Sequence, residues 1–321
     1  MMRARATIRQ LAPLVVALIA VDAVAQDARS WLDRMNRAVE ELNYEGTFVH
    51  ALDGNTETMH IVHRNDNGRI GERIVSLNGV GREIIRNENE VQCILPDRRV
   101  VLLDETADAN PLVSALPSYS EDLEPNYTFN VYRSARVADR PAQVIGIRPR
   151  DEFRYGYLLW LDQETAMPLK AQLRDENDEI VEQILFVQFE IFDSIPAAAL
   201  EPTIDTAGFS WLRSEKAGSL PSSTVLWRAG TAPGGFKLAV ATHKPLAGAE
   251  YPVEHLVYSD GLATVSVFIE DPKADADVVE GFSNVGSTNA YSLTLSGHKV
   301  TAIGEVPRLT VHQIASSLIA E

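Results

Sequence analysis

The sequence predicts an α+β protein that is mainly antiparallel β: an open half-barrel domain with helices, followed by a smaller antiparallel β domain with a terminal helix. Short, β-branched runs with a period of two dominate the chain from Tyr44 onward. Asp-Gly and Asn-Gly pairs, which favour tight hairpin turns, separate several of these runs. A chain of roughly 300 residues exceeds the usual size of a single hydrophobic core, so two domains are expected.

Residues 1–25 are typical of a cleaved secretory signal peptide. Three arginines precede the apolar run LAPLVVALIAV, and Ala23, Val24 and Ala25 then supply small residues for a peptidase. The apolar run is about half the length of a helix that spans a bilayer, which disfavours a retained anchor. The mature protein is therefore expected to be exported and soluble.

The charge of the chain limits its partners. Without the three arginines and one aspartate of the first 25 residues, 26 basic and 44 acidic side chains remain, a formal charge of −18. Such a protein is repelled at long range by nucleic acid and by anionic membrane surfaces. Cys93 is the only cysteine, so an intramolecular disulfide is excluded.

The first predicted domain, residues 26–200, begins with a helix. The segment SWLDRMNRAVEELN has Ser30 and Asp33 in capping-box positions and apolar residues at helical spacing. About eleven strands follow, and an antiparallel sheet of this length must curl, which creates a concave side that needs filling. The predicted strands are 44–50, 56–64, 71–77, 82–86, 90–96, 98–104, 127–133, 142–150, 155–163, 168–175 and 182–192.

Residues 201–221 lose strand periodicity and collect Pro, Ala, Ser and Gly, which predicts an interdomain linker. The second predicted domain, residues 222–321, contains further strands and the hairpin HLVYSDGLATVSVFIE. Val311, Ile314, Ala315, Leu318 and Ile319 are spaced as one face of a terminal helix.

That hairpin places His255, Ser259 and Asp260 within six residues, the residue types of a catalytic triad. A triad must converge in space beside an oxyanion hole, and proximity in sequence does not supply this. Asp260 precedes Gly261 at the predicted turn, so turn geometry is the favoured interpretation. No nucleophile-elbow, zinc-protease or phosphate-loop motif occurs. The acidic loop 270–277 favours a solvated turn over weak calcium binding. We therefore expect no enzymatic activity, no cofactor and no metal.

Two features indicate binding. Six arginines between positions 133 and 154 form a basic island that suits phosphate or carboxylate, although strand-edge solubility residues together with a composition bias are the slightly favoured explanation. The second feature is a set of apolar residues that line the concave side of the curled sheet. Most of these residues are expected to be ordinary core, but a half-barrel lined in this way is also suited to acyl chains. The candidate lipid-binding residues are Phe48, Met59, Ile61, Ile74, Leu158, Trp160 and Phe186, with Arg148 and Arg150 for a phosphate.

Long stretches of the chain resemble the MucB/RseB family of periplasmic regulators of the envelope-stress sigma factor. The resemblance covers nearly all of the mature protein and rests on strings of 7 to 19 residues. They are YEGTFVH (44–50), RIVSLNGVGREIIR (73–86), GYLLWLDQETAMPLKAQL (156–173), EQILFVQFEI (182–191), PVEHLVYSDGLATVSVFIE (252–270) and NAYSLTLSGHKVTAIGEVP (289–307).

The resemblance implies a periplasmic protein whose first domain is similar to the lipoprotein carriers LolA and LolB. Its second domain would contact the periplasmic region of a membrane-spanning anti-sigma factor of the MucA/RseA type. The whole protein would shield that region from proteolysis and release it when lipopolysaccharide or a lipoprotein-derived signal binds. Candidate partner-contacting residues are Arg228, His255, Tyr258 and His298.

Linkage would supply the mechanism, because a lipid and a peptide that prefer different states of one molecule weaken each other's binding. A homo-oligomer is compatible with the sequence. The alternative from another functional class is a periplasmic lipid or lipoprotein carrier, although a simple carrier would not need residues 222–321.

Overall fold

A computed structural model describes residues 16–87, 90–104, 116–117, 119–213, 220–221, 226–244, 253–270 and 279–320. Within these ranges the chain forms a 13-stranded sheet, a seven-stranded sheet and a two-stranded sheet. None of the described helices combines the length and apolar character that a membrane span requires.

The first sheet is an open antiparallel meander. Its strand order is β13-β6-β5-β4-β3-β2-β1-β12-β11-β10-β9-β7, and β8 pairs with β9. The strands are β1 (Asn43–Leu52), β2 (Asn55–Asp66), β3 (Arg69–Ser76), β4 (Glu83–Arg86), β5 (Val91–Leu95), β6 (Val100–Asp104), β7 (Tyr127–Val131), β8 (Ala135–Val137), β9 (Arg140–Pro149), β10 (Gly156–Asp162), β11 (Pro168–Arg174), β12 (Ile180–Phe192) and β13 (Ser210–Arg213). Short 3₁₀ turns lie at Pro96–Arg98, Glu121–Leu123 and Ala197–Leu200.

Helix α1 (Val16–Glu41) packs against one face of this sheet. Its buried residues follow helical spacing, and Leu32 and Met35 pack against Leu159 of β10. The predicted helix is confirmed, although it begins before Ser30, within the predicted signal sequence.

Positive-φ residues close the hairpins that the sequence predicted. Asp53 and Gly54 join β1 to β2 with φ of 50° and 73°, and Asn67 and Gly68 join β2 to β3 with φ of 55° and 89°. These left-handed conformations match the twist of the flanking strands, which is why Asp-Gly and Asn-Gly occur there.

The segment after β12 packs against the outer face of the first sheet. The buried Glu83 carboxylate on β4 accepts hydrogen bonds from the backbone N–H groups of Thr203 and Ile204 and pairs with Arg73. Residues 210–213 then form β13, which pairs with β6 in parallel. Much of the segment predicted as linker is thus fixed to the first domain.

The second domain has the strand order β14-β16-β17-β18-β21-β20-β19. Helix α2 packs on one face, where Val311, Ile314 and Ala315 contact a core that includes Leu256 and Val267. The elements are β14 (Leu220–Pro221), β15 (Trp227–Ala229), β16 (Lys237–Lys244), β17 (Val253–Ser259), β18 (Thr264–Glu270), β19 (Gly281–Val285), β20 (Thr288–Leu295), β21 (His298–Gly304), α2 (Arg308–Ser316) and β22 (Leu318–Ala320).

The predicted extent of the terminal helix is wrong at its end. Helix α2 stops at Ser316, and Leu318 and Ile319 belong to β22, which pairs with β15. Strand pairing satisfies the backbone groups of these residues while Leu318 still enters the core, so the apolar spacing could not distinguish the two conformations. The expected fold class, two mainly antiparallel domains with an open first sheet, is confirmed.

Candidate functional site

A buried ion pair joins the two domains. The guanidinium of Arg154, in the turn between β9 and β10, is fully buried and donates from Nη1 to Oδ2 of Asp260 over 2.8 Å. Its Nε donates to Asp151 over 3.0 Å, and its Nη2 donates to the backbone carbonyl of Gly234. Tyr127 donates its hydroxyl hydrogen to the same Asp260 oxygen over 2.9 Å. Burial, reinforced by the Asp260 charge, raises the pKa of Tyr127 far above its ordinary value, so the phenol remains a donor.

Asp260 also closes the hairpin between β17 and β18. Its Oδ1 accepts hydrogen bonds from the backbone N–H groups of Leu262 and Ala263, which confirms a role in turn geometry. His255 stacks on Phe268 with ring centroids 4.5 Å apart. Asp260 is directed toward Arg154 in the first domain, so these contacts do not assemble His255 and Asp260 as a triad.

A second polar contact between the domains contains two carboxyl groups. Glu182 on β12 accepts from His50 on β1 over 2.6 Å and from the hydroxyl of Ser287 over 3.3 Å. Ser287, in the turn between β19 and β20, also contacts the carboxyl of Glu305, which follows β21. Burial raises the pKa of Glu305 to about 7, and the neighbouring Glu182 carboxylate adds to the shift. Burial acts to raise the pKa of Glu182, but the hydrogen bond from His50, with help from Glu305 and Ser287, holds that pKa below its ordinary value.

A cavity of about 300 Å³ lies between these two contacts. This volume is at the lower end of the range for small-molecule sites, and such sites often occur at domain interfaces. Three leucines and three tyrosines line the cavity, but polar atoms form more of its exposed wall than apolar atoms do, and one carboxyl group contributes. Its lining residues are Leu116, Tyr127, Tyr155, Tyr157 and Leu173 from the first domain and Gly261, Leu262, Ala263, Thr264 and Glu305 from the second.

The seven predicted apolar lipid-contacting residues divide into two groups. Five of them lie in the packed core beneath α1, and each is no more than 2% exposed. Leu158 and Trp160 alternate with the buried Leu159 and Leu161 along β10 and are only partly buried. Leu158 points to the opposite face of the sheet, whereas Trp160 packs against the same core cluster as the other five residues. The five core residues are Phe48, Met59, Ile61, Ile74 and Phe186.

The arginine island is dispersed by the fold. Arg140 pairs with Asp162, and Arg150 donates from Nε to the backbone carbonyls of Glu124 and Tyr127. Arg148 is exposed beside a groove of about 360 Å³ that Leu158 also lines. Five acidic residues line the same groove, which disfavours a phosphate there. These are Asp151, Glu152, Asp175, Glu176 and Asp178.

The four predicted partner-contacting residues occupy different environments. Arg228 is exposed on β15, and His298 makes an edge contact with the ring of Trp227 at 5.3 Å. His255 is half-buried against Phe268. Tyr258 is only 4% exposed, and its hydroxyl accepts the backbone N–H of Ala229 over 2.6 Å. Tyr258 therefore has a core contact that explains its presence without a partner.

Replacing Tyr258 with phenylalanine is expected to lower the free energy of unfolding by about 1 kcal/mol, because the N–H of Ala229 loses its acceptor. Urea denaturation measures the change, with Tyr132→Phe, on the exposed side of the first domain, as the matched control. An unchanged stability would contradict the structural role assigned to the Tyr258 hydroxyl.

The functional geometry includes residues that the sequence pattern did not single out. Tyr155 belongs to no recognisable sequence motif. Its hydroxyl nevertheless accepts a hydrogen bond from the side-chain N–H of Asn289 across the domain interface over 3.0 Å. Glu305 lies in a stretch of sequence typical of the end of a strand. Nothing in the sequence around it indicates that a second carboxylate, that of Glu182, would face it. Only Arg154 carried a hint, as a member of the arginine island.

Comparison with known proteins matches both domains of the chain to one family. Residues 27–204 match the model of the MucB/RseB N-terminal domain, and residues 221–319 match that of the MucB/RseB C-terminal domain. The sigma factor AlgU regulatory protein MucB of Pseudomonas aeruginosa is 35% identical over 316 residues, 96% of each chain. The sigma-E factor regulatory protein RseB of Haemophilus influenzae is 28% identical over 291 residues, 91% of this chain and 90% of its own.

Solved structures agree with these sequence matches. A crystal structure of MucB in complex with MucA(peri) has a TM-score of 0.71 at 31% identity and covers 92% of this chain and 99% of its own. A crystal structure of MucB, at 29% identity, has a TM-score of 0.60 over 92% of this chain and 98% of its own. Both domains, their order and their fold are shared with these sigma factor regulators, and the chain belongs to the MucB/RseB family.

Proposed function

We propose that this protein acts in the periplasm as a negative regulator of an envelope-stress sigma factor. It binds the periplasmic part of a membrane-spanning anti-sigma factor, shields it from proteolysis, and releases it when lipopolysaccharide or a lipoprotein-derived lipid binds. The observation that carries this proposal is the match of both domains to a family whose member MucB has been crystallised with MucA(peri). The role is regulatory binding, and no catalytic step is invoked.

The cavity between the domains is where we propose that lipid binding is sensed. Both domains contribute to its wall, with Leu173 from the first and Leu262 from the second, so a ligand that enters it changes how the two domains pack. A ligand with different affinities for two domain arrangements shifts the population between them. The five core residues under α1 would serve an acyl chain only if the helix moved, which makes the interdomain cavity the simpler entry point.

We propose that the arrangement of the two domains depends on the partner. The TM-score is 0.71 to MucB with MucA(peri) and 0.60 to MucB alone, at nearly equal identity and coverage. Two arrangements of the same pair of domains would produce such a difference. Linkage then requires that a lipid favouring one arrangement weakens binding of a peptide that favours the other.

The proposal is tested by measuring binding of the mature protein to the periplasmic segment of the anti-sigma factor from the same organism, with and without lipopolysaccharide. Tight binding that weakens at least tenfold with lipopolysaccharide is expected, equivalent to about 1.4 kcal/mol of coupling. Protection of the segment from added protease should decrease in parallel.

A cavity-filling variant separates the lipid step from peptide binding. Leu262→Trp places a large side chain in the interdomain cavity and should preserve peptide binding while removing most of the lipopolysaccharide effect. Leu226→Trp, exposed in the second domain, is the matched control and should behave as the parent protein. Absence of peptide binding in every condition would contradict the regulatory proposal and direct the next assay to lipoprotein transfer.

A further inference from the structure

The carboxyl groups of Glu182 and Glu305 belong to different domains and meet in a partly buried contact. The side chain of Glu182 is 15% exposed, and both carboxyls contact the hydroxyl of Ser287. Two carboxylates in one partly buried site repel each other unless a proton or a cation lies between them. Because the pair exists only when the domains are docked, its protonation and the docking equilibrium are linked.

We propose that docking of the two domains is coupled to uptake of one proton by the Glu182 and Glu305 pair, so that the docked arrangement strengthens as the surroundings become more acidic. In the protonated pair one carboxyl donates a hydrogen bond to the other, and His50 completes the cluster from β1. Deprotonation replaces that hydrogen bond with a repulsion between like charges across the interface.

The direction of the effect follows from the shift at Glu305. Its pKa is raised from an ordinary 4.5 to about 7 in the docked protein, so docking takes up a proton between these values. Docking is therefore strongest below the ordinary value and weakens as the pH rises through about 7. The pKa of Glu182 is lowered, so its own contribution is lost only in more acidic solution, outside this window. A change from pH 7.5 to pH 5.5 should strengthen docking roughly twentyfold.

The groups that surround Glu305 on the other packed elements do not oppose this effect. Tyr155 and Tyr157 line the same cavity, and burial raises the pKa of each phenol, that of Tyr155 to about 12. Both therefore stay neutral throughout the window. Three acidic side chains act on these phenols and favour their neutral forms further: Asp175 and Glu176, in the turn between β11 and β12, and Asp260. Within the described residues, His50 is the basic side chain that acts directly on the carboxyl pair.

Small-angle X-ray scattering of the full mature protein between pH 5.5 and pH 7.5 tests the coupling. All proteins carry Thr310→Val, which removes the hydrogen bond from Thr310 to the carbonyl of Phe153 across the interface and brings docking into a measurable range. The parent should become more extended as the pH rises. Glu305→Gln, which keeps a donor without a charge, should remain compact at every pH. Glu190→Gln, exposed on the same strand as Glu182, should follow the parent.

If the parent stays fully docked at every pH, scattering shows no change. A direct titration of the Glu305 carboxyl group then tests the proposal. The carboxyl ¹³C resonance of Glu305 should have its midpoint near pH 7 in the parent and move toward the ordinary value in Glu182→Gln. A midpoint near 4.5 in the parent would overturn the proposal. So would a pH-dependent extension of equal size in Glu305→Gln.

Discussion

Substitution of methionine for Arg154 is expected to lower the free energy of unfolding by about 3–5 kcal/mol, because it leaves the Asp260 carboxylate buried without its counter-charge. Both side chains of this pair are 0% exposed, so water cannot replace the lost partner. The Gly234 carbonyl also loses its donor. Urea denaturation of the mature protein measures the loss, and scattering should detect domains that separate more readily.

Two further variants give this prediction its control. Arg133→Met, exposed in the same arginine island, should change stability by less than about 0.5 kcal/mol. Adding Asp260→Asn to Arg154→Met should recover part of the loss, because the uncompensated charge is removed while Oδ1 still closes the hairpin. If the double variant loses as much free energy of unfolding as the Arg154→Met and Asp260→Asn single variants together, the two residues do not interact.

Replacing Glu83 with alanine is expected to cost about 3 kcal/mol and to release the segment that follows β12 from the first sheet. The carboxylate is 0% exposed and accepts the backbone N–H groups of Thr203 and Ile204, which would lose their acceptor. Arg73 would lose its charged partner at the same time. Urea denaturation measures the stability, and limited proteolysis of residues 201–213 measures the release.

Glu201→Ala provides the control for this second prediction, since Glu201 is exposed in the same segment. It should leave both stability and cleavage unchanged. Cleavage of residues 201–213 at the parental rate in Glu83→Ala would mean that the packing of Ile204 and Phe209 on the sheet holds the segment without the carboxylate.

The sequence allowed the hairpins to be predicted because their geometry is encoded locally. Asp53-Gly54 and Asn67-Gly68 tolerate positive φ, and the alternating strands beside them identify the pairing. Short strands without alternation were missed: β13 has four exposed residues, and its parallel partner β6 is more than a hundred residues away in the chain. Non-local pairing of this kind leaves no period in the sequence.

The interface residues were predictable only in part. The Asp260-Gly261 pair indicated a turn, but nothing local revealed that the second carboxylate oxygen of Asp260 would meet Arg154, 106 residues earlier in the chain. The meeting of Glu182 with Glu305 is likewise a product of how the two domains pack. Apolar residues such as Phe48 were correctly assigned to the inner side, whereas Leu158 was misassigned because its position in the strand was one residue out of phase with the buried Leu159.

The parallel pairing of β13 with β6 affects how strongly each domain competes with external ligands for the docking surface of the other. Strand β13 ends at Arg213 in the first domain and β14 begins at Leu220 in the second, so the intervening chain can extend no further than about 25 Å. Confinement to a volume of that radius corresponds to a local concentration of tens of millimolar. An external ligand for either docking surface must outcompete a tethered neighbour at that concentration, so weak ligands leave the domains together.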